Sequence, residues 1–530
     1  MPDRTRPDWW KSAVIYQIYP KSFADTTGSG QGDLAGITAH LDYIRDLGAD
    51  LIWLSPVYLS PQKDNGYDVA DFRTIDPRYG TMEDFRRLVR SAGDRSMGIV
   101  MDMVLNHTSS VHPWFQDALT GGEHRDFYIW SDTDDGSVSV FGDPAWTWSP
   151  EAGRYYYGSF SPHQPDLNWQ NRRVRQAVFA AMRFWLEAGV AGFRLDAVPY
   201  ISKDLACGRR CQGPDLHAYL REMRSALGPE VVLLGEDTEA DLEDALIYTE
   251  PGGSELNMIF EFGIEDYDRR GGDKWHTKPL DLPGLKAHLA RWQEGLEGRG
   301  WMTLFLTNHD MPRIVSRWGN EGRWHTQSAT MLATAAYLLR GTPVIYQGEE
   351  LGMTNTKMPL GAYDDLESVN YIRAQKKAGA DPDQIAAALY GSSRDNARTP
   401  MQWTPGPAAG FTTGQPWLPV NKNAEWINVQ SEEEDPASVL HYYRRLLTLR
   451  RRPVFTDGHF ELEAAEDPHV FAYVRSLGSE RIRIECNFSG SPKPSPFGED
   501  QGRLLLGNYE GSSDLLRPYE ARVISLTQAG

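Results

Sequence analysis

Sulfur is scarce in this sequence. Three cysteines among 530 residues, Cys207, Cys211 and Cys486, cannot build a disulfide framework, and their scarcity points to a reducing, cytoplasmic setting. Cys207 and Cys211 bracket "CGRRC", but no histidine or further cysteine stands near enough to complete a zinc set, so both read as free thiols. No apolar run approaches the ~20 residues of a membrane helix. The opening "MPDRTRPDWW" lacks the apolar segment of a secretory signal. Positive charge is short too: 54 Lys and Arg stand against 73 Asp and Glu, a formal net charge of -19. That balance argues against a nucleic acid or a membrane surface as partner and favours a neutral or weakly charged substrate. Low-complexity tracts and short internal repeats are also missing, which excludes solenoids and disordered tails.

What is there is an alternation. Apolar, β-branched runs at 13–20, 49–57, 98–105, 192–198, 230–237, 255–262, 301–310 and 342–350 are each followed by a segment with helical spacing. The first such helix is read at 33–48, where Leu34, Ile37, Leu41, Ile44 and Leu47 share a face; the last, "ASVLHYYRRLLTLRR", is delayed to 437–451. Eight strand–helix pairs with near-continuous apolar strands predict a closed α/β (TIM) barrel of eight strands. The barrel is expected in two parts, 1–102 and 171–454. An inserted, loop-rich domain at 103–170 follows the third strand, and a second insertion, about 351–430, follows the eighth. From 455 to 530, short alternating runs such as "HVFAYVRS" predict an antiparallel β domain.

In such a barrel the C-terminal strand ends form the mouth, so polar residues that close apolar strands read as functional. "GFRLDAV" places Arg194 and Asp196 two apart on one face of the fourth strand. The fifth strand ends in Glu236, the seventh in Asn308, His309 and Asp310, and the third in Asp102, Asn106 and His107. Cleaving a glycosidic bond takes two carboxyl groups flanking it, one ionised and one protonated. Arg194 is expected to depress Asp196 and hold it ionised as a nucleophile, while neighbouring carboxylates raise Glu236 toward a general acid. The two should face each other about 5 Å apart.

"DMVLNH", "GFRLDAV", "LLGED" and "FLTNHD", in this order and spacing, resemble the four conserved regions of the α-amylase family, glycoside hydrolase family 13. "QPDLNW" and "SRDNARTPMQW" are similar to the α-glucosidase and oligo-1,6-glucosidase branch, which also holds trehalose-6-phosphate hydrolases and sucrose isomerases. The resemblance implies that Asp196 is the nucleophile, Glu236 the acid and then base, and Asp310 the residue that grips the distorted sugar. It further implies that Arg194, His107 and His309 contact sugar hydroxyls. Asp64 and Tyr67 of "DNGYD" would meet the non-reducing glucose, Arg398 would pair with Asp64 to wall off the pocket, and Phe160 would line it.

Three departures bear on specificity. Alanine at 197 resembles branch members that prefer α-1,4 bonds, where valine accompanies α-1,6 preference. Ile264 replaces the histidine of F-x-F-x-H, and Met311 stands where glutamine is common; both are expected on the leaving-group side. "DTTGSGQGD" resembles a calcium loop, with Asp25, Thr27, Ser29, Gln31 and Asp33 at ligand positions, although Thr27 and Ser29 replace an amide and a carboxylate. Any metal there would be structural, since the chemistry requires no cofactor.

The expectation is therefore a cytoplasmic, retaining, exo-acting α-glucosidase that releases glucose from a small oligosaccharide or disaccharide, α-1,4 bonds favoured. An oligo-1,6-glucosidase, a trehalose-6-phosphate hydrolase and a transglucosidase or sucrose isomerase remain open. A non-catalytic relative, such as a transporter heavy chain, would carry a membrane helix and lack acids of the set.

Overall fold

The computed structural model describes residues 8–498, 502–511 and 513–526. Residues 1–7 of the opening segment and the last four of the C-terminal unit lie outside them. Eight parallel strands make one sheet: β1 (Ile15–Ile18), β2 (Leu51–Leu54), β3 (Gly98–Val104), β4 (Gly192–Asp196), β5 (Val232–Glu236), β6 (Met258–Phe260), β7 (Thr303–Leu304) and β8 (Thr342–Tyr346). Their order is β6-β5-β4-β3-β2-β1-β8-β7, and a parallel bridge from Ile259 to Met302 joins the two edges into a barrel. Every residue of these strands is buried except Glu236, which is half-buried at the end of β5. Continuous apolar sequence follows from that geometry, because one face meets the barrel interior and the other the helices.

The helices pack outward-in. Met82–Asp94 begins with a capping box between Thr81 and Asp84 and buries Phe85, Leu88 and Ala92. Arg172–Glu187 is capped by Asn171 and buries Val174, Val178, Phe179, Met182 and Trp185. Two expectations are corrected. The helix read at 33–48 is two segments, Leu34–Ala39 and Leu41–Leu47, because His40 turns its Nδ1 to the Gly36 carbonyl (2.8 Å) and stacks on Trp403 (ring centroids 3.8 Å). The seventh strand shrinks from 301–310 to Thr303–Leu304, and the rest of that run leaves the sheet to form the mouth.

Between β3 and β4 a small three-stranded antiparallel sheet (Trp130–Ser131, Arg154–Tyr157, Trp146–Ser149) stands over the barrel, held by bridges from His107 to Asp166 and from Tyr128 to Leu167. After β8 come helices Leu366–Lys377, Pro382–Ser392 and the short Asp395–Arg398. The C-terminal unit is a five-stranded antiparallel sheet of β9 (His459–Glu463), β10 (Val470–Leu477), β11 (Glu480–Asn487), β12 (Arg503–Gly507) and β13 (Ala521–Ser525), ordered β9-β10-β11-β13-β12. Tyr473 of β10 donates its hydroxyl to the Ala335 carbonyl (3.2 Å), docking this sheet on the barrel helix His325–Tyr337. Among the described residues no helix is long and apolar enough to cross a membrane.

Candidate active site

Strand register sets the site. Asp102 of β3 lies opposite Arg194 of β4, and Val104 opposite Asp196. On the other side Leu234 of β5 lies opposite Arg194. Gly192 lets β4 and β5 approach, since a Cβ there would fall 2.0 Å from the Val232 carbonyl oxygen. Arg194 is thereby driven into the mouth and divides its charge three ways: Nη1 donates to Asp102 (2.9 Å) and Asp196 (2.6 Å), and Nη2 meets Glu236 (2.5 Å). Asp196 and Glu236 thus sit on the two arms of one guanidinium. A second link joins them, from the Ala197 N–H to Glu236 Oε2 at 2.8 Å. Ala197 holds left-handed backbone angles (φ 44°, ψ 46°), which a small non-glycine residue tolerates better than a β-branched one.

Three carboxylates on one buried arginine leave negative charge uncompensated. Burial pushes Asp102, Asp196 and Glu236 all above the ordinary carboxylate range, with Arg194 opposing it in each case. The expected depression of Asp196 by Arg194 is therefore overturned: a cation shared by three anions cannot outweigh the burial of each. Both members of the Asp196–Glu236 pair are thus shifted in the same direction, toward holding protons more tightly.

A second cluster surrounds Asp310. Arg398 Nη2 donates to Asp310 Oδ1 (2.7 Å) and its Nε to the His309 carbonyl (2.9 Å), and Arg394 Nη1 reaches the same aspartate at 3.2 Å. Burial would raise Asp310, but His309 and the two guanidiniums hold it below the usual carboxylate range. His309 itself is driven down to about 3 by burial, so at neutral pH the arginines carry that effect. The expected Asp64–Arg398 pair is corrected here. Arg398 is occupied by Asp310 and lies 3.5 Å from Asp365, whereas Asp64 accepts from Gln164 Nε2 (2.8 Å) and has Arg394 as its nearest cation at 4.0 Å. Burial pushes Asp64 up to about 6, opposed by Arg394.

Around these groups lies a cleft of about 250 Å³. Tyr67 donates to Asp102 (3.0 Å), contacts His309 Nε2 (2.5 Å) and stacks on the His309 ring. Gln17 Nε2 fixes His309 from behind through Nδ1 (2.9 Å). His107 packs against Phe160 (5.2 Å) and contacts Gln164 (3.0 Å); burial takes it down to about 4, so it is neutral. Asp64, Tyr67, His107, Phe160, Asp196, Glu236 and Asp310 all line the cleft, with Arg194, His309 and Arg398 directly behind them.

Ile264 and Met311 are not where they were expected. Ile264 points into an apolar cavity shared with Leu285, Phe305 and Phe471, and Met311 is fully buried; neither is among the lining residues of the cleft. The loop 25–33 also departs from expectation. Asp25 accepts from the N–H groups of Thr27, Gly28 and Gly30 and from the hydroxyls of Thr27 and Thr412, while Asp33 accepts from Thr26 and caps the helix at Gly36. Backbone N–H groups and the hydroxyls of Thr26, Thr27 and Thr412 face the two carboxylates, and Ser29 donates to the Gln31 carbonyl. Calcium takes converging oxygens, and here both carboxylates are turned onto protein hydrogen-bond donors. Among the described residues no group of three or more His, Cys, Asp or Glu is arranged for a metal.

Sequence reasoning missed several participants. Arg394 and Gln164 stood inside quoted segments, and two arginines four apart around a helical turn were the available signal for the first. Phe141 gave none: it packs tilted against Phe160 (5.8 Å), lies under the Arg394 guanidinium (5.1 Å) and takes Asn370 Nδ2 on its carbonyl, tying the inserted segment to the insertion after β8.

Residues 17–458 match the family model of the α-amylase catalytic domain. The chain is 43% identical to an oligo-1,6-glucosidase of Parageobacillus thermoglucosidasius, covering 98% of this chain and 99% of that one. Among solved structures, a trehalose-6-phosphate hydrolase of Bacillus licheniformis superposes with TM-score 0.94 at 41% identity, covering 98% and 99% of the two chains. An isomaltulose synthase of Erwinia rhapontici NX5 does so with TM-score 0.93 at 35% identity, again over 98% and 99%.

Proposed function

The chain belongs to the α-amylase catalytic-domain family of glycoside hydrolases, and from that premise we propose that it is a retaining, exo-acting α-glucosidase of short α-glucosides, α-1,4 bonds favoured. The observation that carries this reading is the shared guanidinium: Asp196 at 2.6 Å and Glu236 at 2.5 Å from the two arms of Arg194, at the floor of one cleft. In the first step the Asp196 carboxylate attacks the anomeric carbon, the glycosidic C–O bond breaks, and the Glu236 carboxyl gives its proton to the leaving oxygen. In the second, Glu236 takes a proton from water, whose oxygen attacks the same carbon and releases Asp196. Two inversions return the α configuration. Asp310, kept ionised by Arg394 and Arg398, accepts hydroxyls of the bound glucose. Neutral His107 and the Asp64–Gln164 pair take others at the closed end. Phe141, lying under the Arg394 guanidinium and lining the same cleft, adds to that end, which supports release of single glucose units from a chain terminus.

The α-1,4 preference is supported by Ala197, whose methyl lines the cleft beside Glu236. A second reading, α-1,6 cleavage, is favoured by the likeness to an oligo-1,6-glucosidase. Three unpaired thiols, Cys207, Cys211 and Cys486, suit a cytoplasmic setting. The test is a panel of maltose, isomaltose, sucrose and trehalose, with the product anomer read by NMR on p-nitrophenyl α-glucoside, whose only glucose is the one that carried the cleaved bond. Maltose with the highest kcat/KM and α-glucose as first product is expected; isomaltose leading overturns the linkage, and β-glucose overturns the mechanism.

A further inference from the structure

Six carboxylates line the cleft, Asp64, Asp196, Glu236, Glu265, Asp310 and Glu367, against three cations, Arg269, Lys274 and Arg394. The cations at the outer mouth are already matched. Arg269 is joined to Glu265 one helical turn away, and Lys274 Nζ meets Glu367 Oε2 at 2.6 Å. Arg394 is held by Asp365 (2.6 Å) and Asp310 (3.2 Å), with Glu367 3.8 Å from its Nε. The two mouth pairs are three-quarters buried or more, with side-chain exposures of 15 and 22% for Glu265 and Arg269 and 22 and 24% for Lys274 and Glu367. They are partly shielded from solvent and persist in salt better than exposed pairs. Lys274 comes from the hairpin strand Asp273–Thr277 and Glu367 from the helix Leu366–Lys377, so this pair also closes one side of the mouth.

We infer that Glu265 and Glu367 are specificity residues for the leaving group: by neutralising Arg269 and Lys274 they fit the mouth to an uncharged sugar and exclude a phosphorylated one. The inference rests on the α-glucosidase reading above and sharpens its substrate class. A phosphate monoester carries between one and two negative charges near pH 7 and is recognised by cations free to give it charge-assisted hydrogen bonds. Here it would have to break an existing pair, and it would then face Glu265, Glu367 and Asp310. Removing the negative partner should turn each pair into a free cation, converting exclusion into recognition.

The experiment measures kcat/KM on two substrate pairs, maltose against maltose phosphorylated on its reducing glucose, and trehalose against trehalose 6-phosphate. The full-length protein is compared with E265Q, E367Q and the double variant. The unmodified protein should prefer each unphosphorylated partner by about 100-fold or more. The double variant should shrink that ratio by about tenfold or more through a gain on the phosphorylated member, which a loss of folding cannot mimic. A wild-type preference for the phosphorylated substrates, or an unchanged ratio in a double variant that still cleaves maltose, overturns the inference and leaves the α-glucosidase reading intact. Glucose released from none of the four overturns both.

Discussion

The backbone N–H of Ala197 donates to Glu236 Oε2 at 2.8 Å, so the residue that follows Asp196 in the chain holds the carboxylate opposite Asp196. The spacing of the pair is thus set by main chain as well as by Arg194. It depends on a left-handed conformation at residue 197 (φ 44°), and such strain clusters where geometry matters for function.

Ala197→Val puts a β-branched side chain into that conformation and a larger one under the leaving group. The expected outcome is a rise of roughly tenfold in the isomaltose-to-maltose ratio of kcat/KM and a loss of about 1–3 kcal/mol in stability from backbone strain. Paired kinetics and a thermal melt read both. An unchanged ratio would remove Ala197 from the account of linkage.

The alkaline limb of activity should report loss of the proton that Glu236 delivers. Burial raises Glu236, Arg194 opposes it, and the charge of Asp310 raises it again. Asp310→Asn deletes that negative neighbour, so the Glu236 carboxyl should ionise more easily and the alkaline limb should move to lower pH. His107 and His309, driven down to about 4 and about 3 by burial, are neutral throughout this range and should define neither limb. Profiles of kcat/KM on maltose check this; a limb that stays put or moves up contradicts it.

Glu349 lies buried beyond β8 between the hydroxyls of Tyr337 (2.5 Å) and Tyr443 (3.0 Å), and burial pushes its carboxyl up to about 8 from an ordinary 4.5. The folded chain keeps a proton that the unfolded chain has released over that interval. Its contribution to stability therefore falls as pH rises from about 4.5 to about 8, by up to about 5 kcal/mol, and is flat above. Glu349→Gln removes the titration. Its melting temperature should gain on the wild type between pH 5 and pH 8; a difference independent of pH would refute the assignment.

The loop 25–33 gives a prediction of the opposite kind. Because six protein donors already occupy Asp25, calcium or a chelator should leave the melting temperature where it is. A calcium-dependent rise, abolished by Asp25→Asn, would show that the loop rearranges to ligate.

The barrel was legible because its strands are buried on both faces and write themselves as unbroken apolar runs. The polar closures were legible for the complementary reason: Glu236, the one barrel-strand residue among those described that is not fully buried, stands where β5 ends. Partner choice was not. Whether Asp64 meets Arg394 or Arg398 depends on how a segment more than 300 residues away lies over the mouth, and no local pattern encodes that register. The direction of the Asp196 shift was misread for a related reason, since "GFRLDAV" displays one arginine beside one aspartate and hides the two further carboxylates that share it. The shortness of β7 and the break at His40 are tertiary effects too, the latter made by Trp403.

The roles of Asp196 and Glu236 face their most direct test in mass spectrometry of Glu236→Gln mixed with α-glucosyl fluoride. A leaving group that needs no proton lets the first step proceed, and the missing base stalls the second. One glucosyl unit should accumulate on the protein, on the peptide that carries Asp196. An adduct on any other residue, or glucose released steadily with no adduct at all, would contradict the double displacement.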